Sequence, residues 1–378
     1  MGRFAHEGAW YAKAETGKPI VYYMGCDSRN EYIYKYVSNK LWDPADATRG
    51  LAAGDKYLDD GKLYVAVFNE DGTGNWVELA FNTGRILSSY PAYGFADQAD
   101  VLVNARHAAD AVGATKMDRP EWGAVDPNTG AVYMTLTNNN ATLRTLASTN
   151  ATNPRHYNDP RTDGTAQRGN PNGHIIRFKE QDNMSTALGF KWDIFVFGAE
   201  EDMPSNVNLS KLTANNSFSS PDGLWFSKST GICWIQTDDG AFTDETNCML
   251  LASVPGSVGD GGEFYVDNSL LSGTTTTTGV TKTFIGGVLG ESRLRRFLVA
   301  PKGAEVTGLT ETADGKTMFV NIQHPGENTP AHGTAANLTL ESTWPGNGGG
   351  IGGAYGPAGR PRSATLIITK NDGGKIGL

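Results

Sequence analysis

Residues 219–239 read SSPDGLWFSKSTGICWIQTDD: an acid at Asp222, a turn glycine at Gly231, then an apolar run that closes on Asp238 and Asp239. The same phrase recurs. In RPEWGAVDPNTGAVYMTLTNN (residues 119–139), Glu121 stands nine residues before Gly130, the same interval as Asp222 to Gly231. Two looser copies place Glu305 ten residues before Gly315 and Glu7 ten before Gly17. Each unit is acid, strand, tight turn, strand, polar end. Repeated β-hairpin units with no alternating helices predict an all-β fold, a β-propeller. In a propeller the same slot of every blade faces one mouth of the channel. Glu7, Glu121, Asp222 and Glu305 are therefore expected to converge on one axis. The competing reading is that each acid caps a local turn, and the shared register argues against it.

The rest of the chain agrees with a strand-rich fold. Its 378 residues suffice for a large core, and 47 of them are glycine while only 19% are charged. Strand candidates include IVYYMG, HIIRFKE, CWIQT and TMFVNIQ, and the clearest helix candidate covers 93–112. Residues 138–172 and 259–283 read as polar surface insertions, and 344–362 as a Gly-rich loop. The whole of 1–378 is read as a single propeller domain with few helices. A net charge of −9 excludes a nucleic-acid duplex as partner. No apolar run approaches membrane-spanning length. Three cysteines without CxxC spacing do not make a disulfide framework. The opening GRFAHEGAWYAKA already reads as the inside of a fold, and no export signal precedes it. We expect a longer parent protein and a ring that stays open here.

A ring of carboxylates repels itself unless cations are present. Hard oxygen donors favour Ca²⁺, Mg²⁺ or ferric iron over zinc. The positions after each turn add Cys26 and Asp27, Asn138 and Asn139, Asp238 and Asp239, Gln323 and His324. A thiolate beside carboxylates suits a transition metal, so Cys26 is a candidate ligand. Such a site suits phosphate chemistry. Arg29, Arg295, Arg296 and Lys302 are candidates to grip phosphate oxygens, each weighed against an ordinary surface charge. His6 and His324 are candidates to support ligands. No HExxH, GxSxG or Walker-type motif is present.

Several stretches are similar to one family: MGRFAHEGA, YYMGCDSRNEYIYKYVS, RPEWGAVDPNTGAVYMTLTNN, NPNGHIIRFKE, SPDGLWF, RRFLVAPKGAEVTG, MFVNIQHPGE and RPRSATLIITKNDGG. In this order, across essentially the whole chain, they resemble the PhoX-type alkaline phosphatases. The resemblance implies a propeller phosphomonoesterase, acting in the periplasm or outside the cell on small phosphate monoesters; the chain is expected to be a monomer. It implies a cofactor of Fe³⁺ and Ca²⁺. The metal ligands carried over are Glu7, Cys26, Glu121, Asp222 and Glu305. On the residues themselves, Asp27 is added to the metal ligands, and Arg29 and Arg296 are taken as the catalytic candidates. One departure is Ala304, where relatives often carry cysteine. Two other readings stay open: a non-catalytic calcium-binding propeller, and another propeller hydrolase such as a phytase or lactonase.

Overall fold

The computed structural model describes residues 1–238, 240–268, 279–329, 340–346 and 360–378. Asp239, His332, the threonine run and most of the Gly-rich loop lie outside the described residues.

Strands dominate, and they group as the repeats predict. The first blade holds β1 (Trp10–Tyr11), β2 (Pro19–Gly25), β4 (Ile33–Leu41), β5 (Gly61–Phe68) and β6 (Thr73–Glu78), paired antiparallel in that order. Short β3 (Arg29–Glu31) leaves it to pair with β7 (Met117–Asp118). The second blade is β8 (Pro120–Val125), β9 (Val132–Leu136), β13 (His174–Glu180) and β14 (Gly189–Phe197). Its β14 also pairs with β6, so the outer edges of the two blades are stitched together. Between β9 and β13 a small sheet forms from β10 (Asn139–Asn140), β11 (Tyr157–Asn158) and β12 (Arg168–Asn170). The third blade is β15 (Pro221–Phe226), β16 (Cys233–Thr237), β17 (Met249–Ser253) and β20 (Leu294–Val299). A hairpin of β18 (Gly262–Asp267) and β19 (Val280–Ile285) reaches back to β14. The fourth sheet is β21 (Glu305–Glu311), β22 (Thr317–Gln323) and β23 (Ala364–Thr369).

The repeated glycines explain the hairpins. Gly17, Gly130, Gly231 and Gly315 have φ of 77°, 72°, 76° and 69°, the left-handed region that L side chains avoid. Each therefore closes the turn between the first two strands of its blade. The first strands of successive blades, β1, β8, β15 and β21, lie side by side.

The seams between blades are filled with apolar side chains. Tyr23, Trp76, Phe178 and Phe190 pack between the first two blades. Tyr133, Phe195, Phe226 and Leu251 fill the next seam, and Trp234, Leu250, Val306 and Val320 the one after. Burying each such side chain contributes roughly 1.5–3 kcal/mol. Strands such as β9 and β16 are buried at every residue because another blade covers each face.

Three readings of the sequence change. The helix expected over 93–112 is two helices, α2 (Gln98–Val103) and α3 (Ala105–Val112), broken at Asn104, whose ψ of 43° is not helical; 93–97 is not helix. A helix over 51–58, α1, had no signal in its Gly-bearing LAAGDKYL. The fourth helix, α4 (Gly290–Arg293), is a single turn. Residues 138–172 are a surface insertion only in part: 162–166 are exposed, but much of the rest is buried. Arg144, Asn153, Arg155, Asn170 and Asn172 are at most 2% exposed, and most of their polar atoms pair with buried neighbours, as Arg144 does with Asp118 and Arg155 with Asn170. Residues 259–283 likewise contribute strand β18 and part of β19.

Candidate metal centre

All four repeat acids arrive at one place: Glu121, Asp222 and Glu305 at the starts of β8, β15 and β21, and Glu7 on the segment leading into β1. Glu7, Asp27 and Glu121 have carboxylate oxygens within 4.8 Å of one another. Asp222, Asp238 and Glu305 form a second such group. The two groups share one field. Glu7 feels Glu305, Glu121 feels Asp238, and Asp222 feels both Glu121 and Glu305.

Local geometry explains the aim. In β8 the pairing skips between Pro120 and Gly123, and in β15 it skips at the equivalent place, between Pro221 and Leu224. A bulge rotates the side chains it contains away from the regular alternation, and Glu121 and Asp222 lie in these two bulges. Asp27 is brought in by a close approach of blades. A Cβ on Gly25 would stand 2.3 Å from the Pro120 carbonyl oxygen, so only glycine lets β2 pass against the start of β8.

The electrostatics are those of acids buried without enough counter-charge. Burial is the first cause that raises Glu7, Glu121, Asp222 and Glu305, and neighbouring carboxylates add to it in every case. Asp222, 7% exposed, is raised well above the ordinary aspartate range. Against six carboxylates the protein sets mainly Arg119. Arg119 Nε reaches Asp27 Oδ1 at 2.7 Å and its Nη2 reaches Glu121 Oε1 at 2.9 Å. His324 Nε2 lies 3.3 Å from Glu305 Oε2. Thr137 donates its hydroxyl to Glu121 and spans to the Pro221 carbonyl at 2.9 Å, fixing one blade's acid to the next blade's strand.

Arg119 was not among the residues singled out from the sequence. Its φ of 61° is unusual for a residue before proline, which is pushed toward extended backbone. That conformation swings the guanidinium onto the acids. A buried scaffold next door holds it: Asp118, 0% exposed, accepts from Arg144 Nε at 2.7 Å, Asn139 Nδ2 at 2.7 Å and Asn170 Nδ2 at 2.9 Å.

Arg29 stands at the rim. Its guanidinium donates to Asn138 Oδ1 at 2.7 and 3.1 Å, and its electrostatic neighbours are Arg119, Asp118 and Asp27. Arg296 is not brought to the acids. It lies on β20, the fourth strand of the third blade, and its guanidinium is spent on the Ala214 and Ser217 carbonyls at 3.1 and 2.9 Å. Arg295 is also on β20, with Nε on the Glu291 carbonyl. Cys26 is buried, but its neighbour Asp27 takes the face toward the acids. The thiol faces α3, where Arg106 donates to Sγ at 3.0 and 3.3 Å, and burial pushes it up to about 11. Neither carboxylate group includes it. His6 stacks on Phe4 at 3.8 Å and contacts the Gly2 carbonyl.

The donor set fits hard cations. It is all carboxylate oxygen, partly buried, in two groups of bridging size, with charge the protein itself does not neutralise. What fold and centre define together is a propeller-type protein built around two carboxylate groups suited to metal ions. The chain belongs to the PhoX alkaline phosphatase family, whose model, "Alkaline phosphatase PhoX", matches residues 1–326. Among solved structures it is similar to Pseudomonas fluorescens PhoX in complex with vanadate, a transition state analogue, at 34% identity and a TM-score of 0.68. That match covers 100% of this chain and 55% of the other, so this chain spans about half the relative's length. A Pseudomonas aeruginosa periplasmic gluconolactonase, PpgL, matches over 83% of this chain and 75% of its own at 10% identity and a TM-score of 0.21, too low to bear on the fold. No curated protein matches. Among the described residues no helix is long and apolar enough to cross a membrane.

Proposed function

We propose that this protein is a metal-dependent phosphomonoesterase that hydrolyses small phosphate monoesters at the channel mouth. The observation that carries the reading is Arg119. It is a cation held by Asp27 and Glu121 in the middle of six carboxylates, in a family whose solved relative is described with vanadate bound. A site meant only to store cations gains nothing from a positive charge among its ligands. A site that must also hold a phosphoryl dianion does.

The roles follow from charge and position. Glu7, Asp27 and Glu121 would hold one part of a cation cluster, and Asp222, Asp238 and Glu305 the other. We assign Ca²⁺ and Fe³⁺ as the cations, on the all-oxygen donor set and the family resemblance. When bound, the cations supply Lewis acidity toward phosphoryl oxygens. Arg119 donates to non-bridging oxygens with its guanidinium, in the bidentate manner that suits phosphate. Arg29, tethered by Asn138, approaches the same anion from the rim. His324, between Glu305 Oε2 at 3.3 Å and Glu327 Oε2 at 2.9 Å, positions the Glu305 carboxylate. An exported setting accompanies this reading, with cell fractionation as its check.

The test is hydrolysis of p-nitrophenyl phosphate by purified protein loaded with Ca²⁺ and iron, beside a panel of lactones and phytate. Release from the phosphate monoester that chelator abolishes and orthovanadate inhibits supports the proposal. Metal binding with no turnover of any ester would favour a calcium-storing propeller instead.

A further inference from the structure

A second set of oxygen donors stands apart from the ring of acids. Asp159 follows β11, and Asn172 precedes β13. They are 1% and 0% exposed. Asn172 Nδ2 donates to Asp159 Oδ2 at 2.6 Å. That leaves Asp159 Oδ1 and Asn172 Oδ1 buried with no hydrogen-bond partner. Native proteins seldom leave buried acceptors unpaired, and an anionic one least of all. The nearest cation does not resolve this. Arg155 spends both terminal nitrogens on the Gly198, Val207 and Gly173 carbonyls and on Asn170 Oδ1. Glu200, half-buried after β14, is raised by burial first and then by the charges of Asp159, Asp202, Glu245 and Asp244, so it lies in the same acidic field. Its carboxylate has no hydrogen bond or ion pair among the described residues. The loops are fastened around this point: Thr162 donates its amide and hydroxyl to Asp244 Oδ2 at 2.6 and 3.1 Å.

We propose that Asp159 Oδ1, Asn172 Oδ1 and the Glu200 carboxylate form a further Ca²⁺ site. A mixed set of carboxylate and amide oxygens, with no nitrogen or sulfur donor, selects Ca²⁺ over transition metals, and solvent completes its six to eight ligands. The site is separate from the ring, since none of its members belongs to either carboxylate group there. It stands behind the ring: the Asn172 carbonyl accepts from Ser220 N at 3.0 Å, two residues before Asp222. A cation here braces the start of β15, which carries Asp222, and through Ser220, whose carbonyl accepts from Asp238 N at 3.2 Å, the end of β16.

Binding stoichiometry tests the site without recourse to activity. Wild type and Asp159→Asn are stripped with chelator and returned to Ca²⁺, and bound Ca²⁺ is counted by equilibrium dialysis. The variant should hold one Ca²⁺ per chain fewer. With Tb³⁺ as probe, the luminescence excited through Tyr157, whose hydroxyl accepts from Asn172 N at 3.2 Å, should fall severalfold. Glu200→Gln, at a half-exposed position, gives the same readout if the first variant folds poorly. Equal Ca²⁺ counts in wild type and both variants, as ordered water in place of the ion would produce, overturn the proposal. The difference is taken against wild type, so it survives even if the ring of acids proves not to be catalytic.

Discussion

Asp222 and Glu180 are buried to similar depth, 7% and 5% exposed, yet their surroundings are opposite. Glu180 ends β13 in the seam between the first two blades. It receives Lys35 Nζ at 2.9 Å, the Tyr23 hydroxyl at 2.8 Å and Trp76 Nε1 at 3.0 Å. Lys35, itself 0% exposed, places its remaining protons on the Ser185 and Ala187 carbonyls. Burial raises Glu180 and lowers Lys35, and each opposes the other's shift. Asp222 has no such partner. Its charged neighbours are chiefly Glu121, Glu305 and Asp238. One acid has its cation encoded in the chain, and the other leaves that place to be filled from solution. The first is a staple between blades; the second is the place we propose for a cation.

Removing each charge should separate the two. Asp222→Asn should lower phosphatase turnover by about a thousandfold, the scale of losing metal stabilisation of developing charge. In metal-stripped protein it should leave the melting temperature unchanged or raised, because it removes self-repulsion. Lys35→Met should do the reverse. Stranding Glu180 costs about 3–5 kcal/mol of stability in urea unfolding, with turnover per folded molecule close to wild type. If Asp222→Asn destabilises stripped protein as much as Lys35→Met does, the two acids are both structural and the contrast fails.

Arg119→Ala sharpens the picture inside the ring. Losing a preorganised donor to the phosphoryl group should cost about a hundredfold in kcat, and Arg29→Ala at the rim about tenfold. Equal losses would mean that the central and peripheral arginines are not distinguished.

A smaller effect concerns pH. His174 is 0% exposed and neutral: it accepts from Asn170 Nδ2 at 3.1 Å and donates to the Thr152 carbonyl at 2.8 Å. Burial lowers it from 6.5 to about 4. The unfolded chain therefore takes up a proton before the folded one does. This contribution is complete above pH 6.5 and is lost as pH falls toward 4, up to roughly 3 kcal/mol in all. Melting temperature against pH should show the decline, and His174→Gln should flatten it. Smallest of all, Arg296→Ala and Cys26→Ser should leave turnover within about twofold, and Cys26→Ser should leave metal content unchanged. Loss of metal in Cys26→Ser would place the thiol in the cluster.

The repeats made the blades legible, because a strand-turn glycine at fixed distance from an acid is a local constraint that survives insertions. Asp222, Glu121, Glu305 and Glu7 were legible for the same reason. Arg119 was not. Nothing in RPEW announces a left-handed residue before proline, and the bulge that turns Glu121 inward is visible only in the pairing with β9. Cys26 and Asp27 follow β2 directly, and the sequence does not say which of the two turns toward the ring; here Asp27 joins the acids and Cys26 Sγ meets Arg106. Arg296 misled because its charge is used up on carbonyls, a fate that composition does not reveal. The 138–172 stretch read as surface because asparagine and arginine usually are; here many of them are buried, with most of their polar atoms paired to buried neighbours.

The claim that the ring carboxylates hold cations the chain does not supply is tested most directly by elemental analysis. Wild type and Asp222→Asn would be reconstituted identically with Ca²⁺ and iron, freed of excess, and counted per folded chain. The account predicts that Asp222→Asn retains at least one cation fewer than wild type, while Glu180→Gln, measured beside it, retains the full complement. Identical metal content in wild type and Asp222→Asn would contradict it.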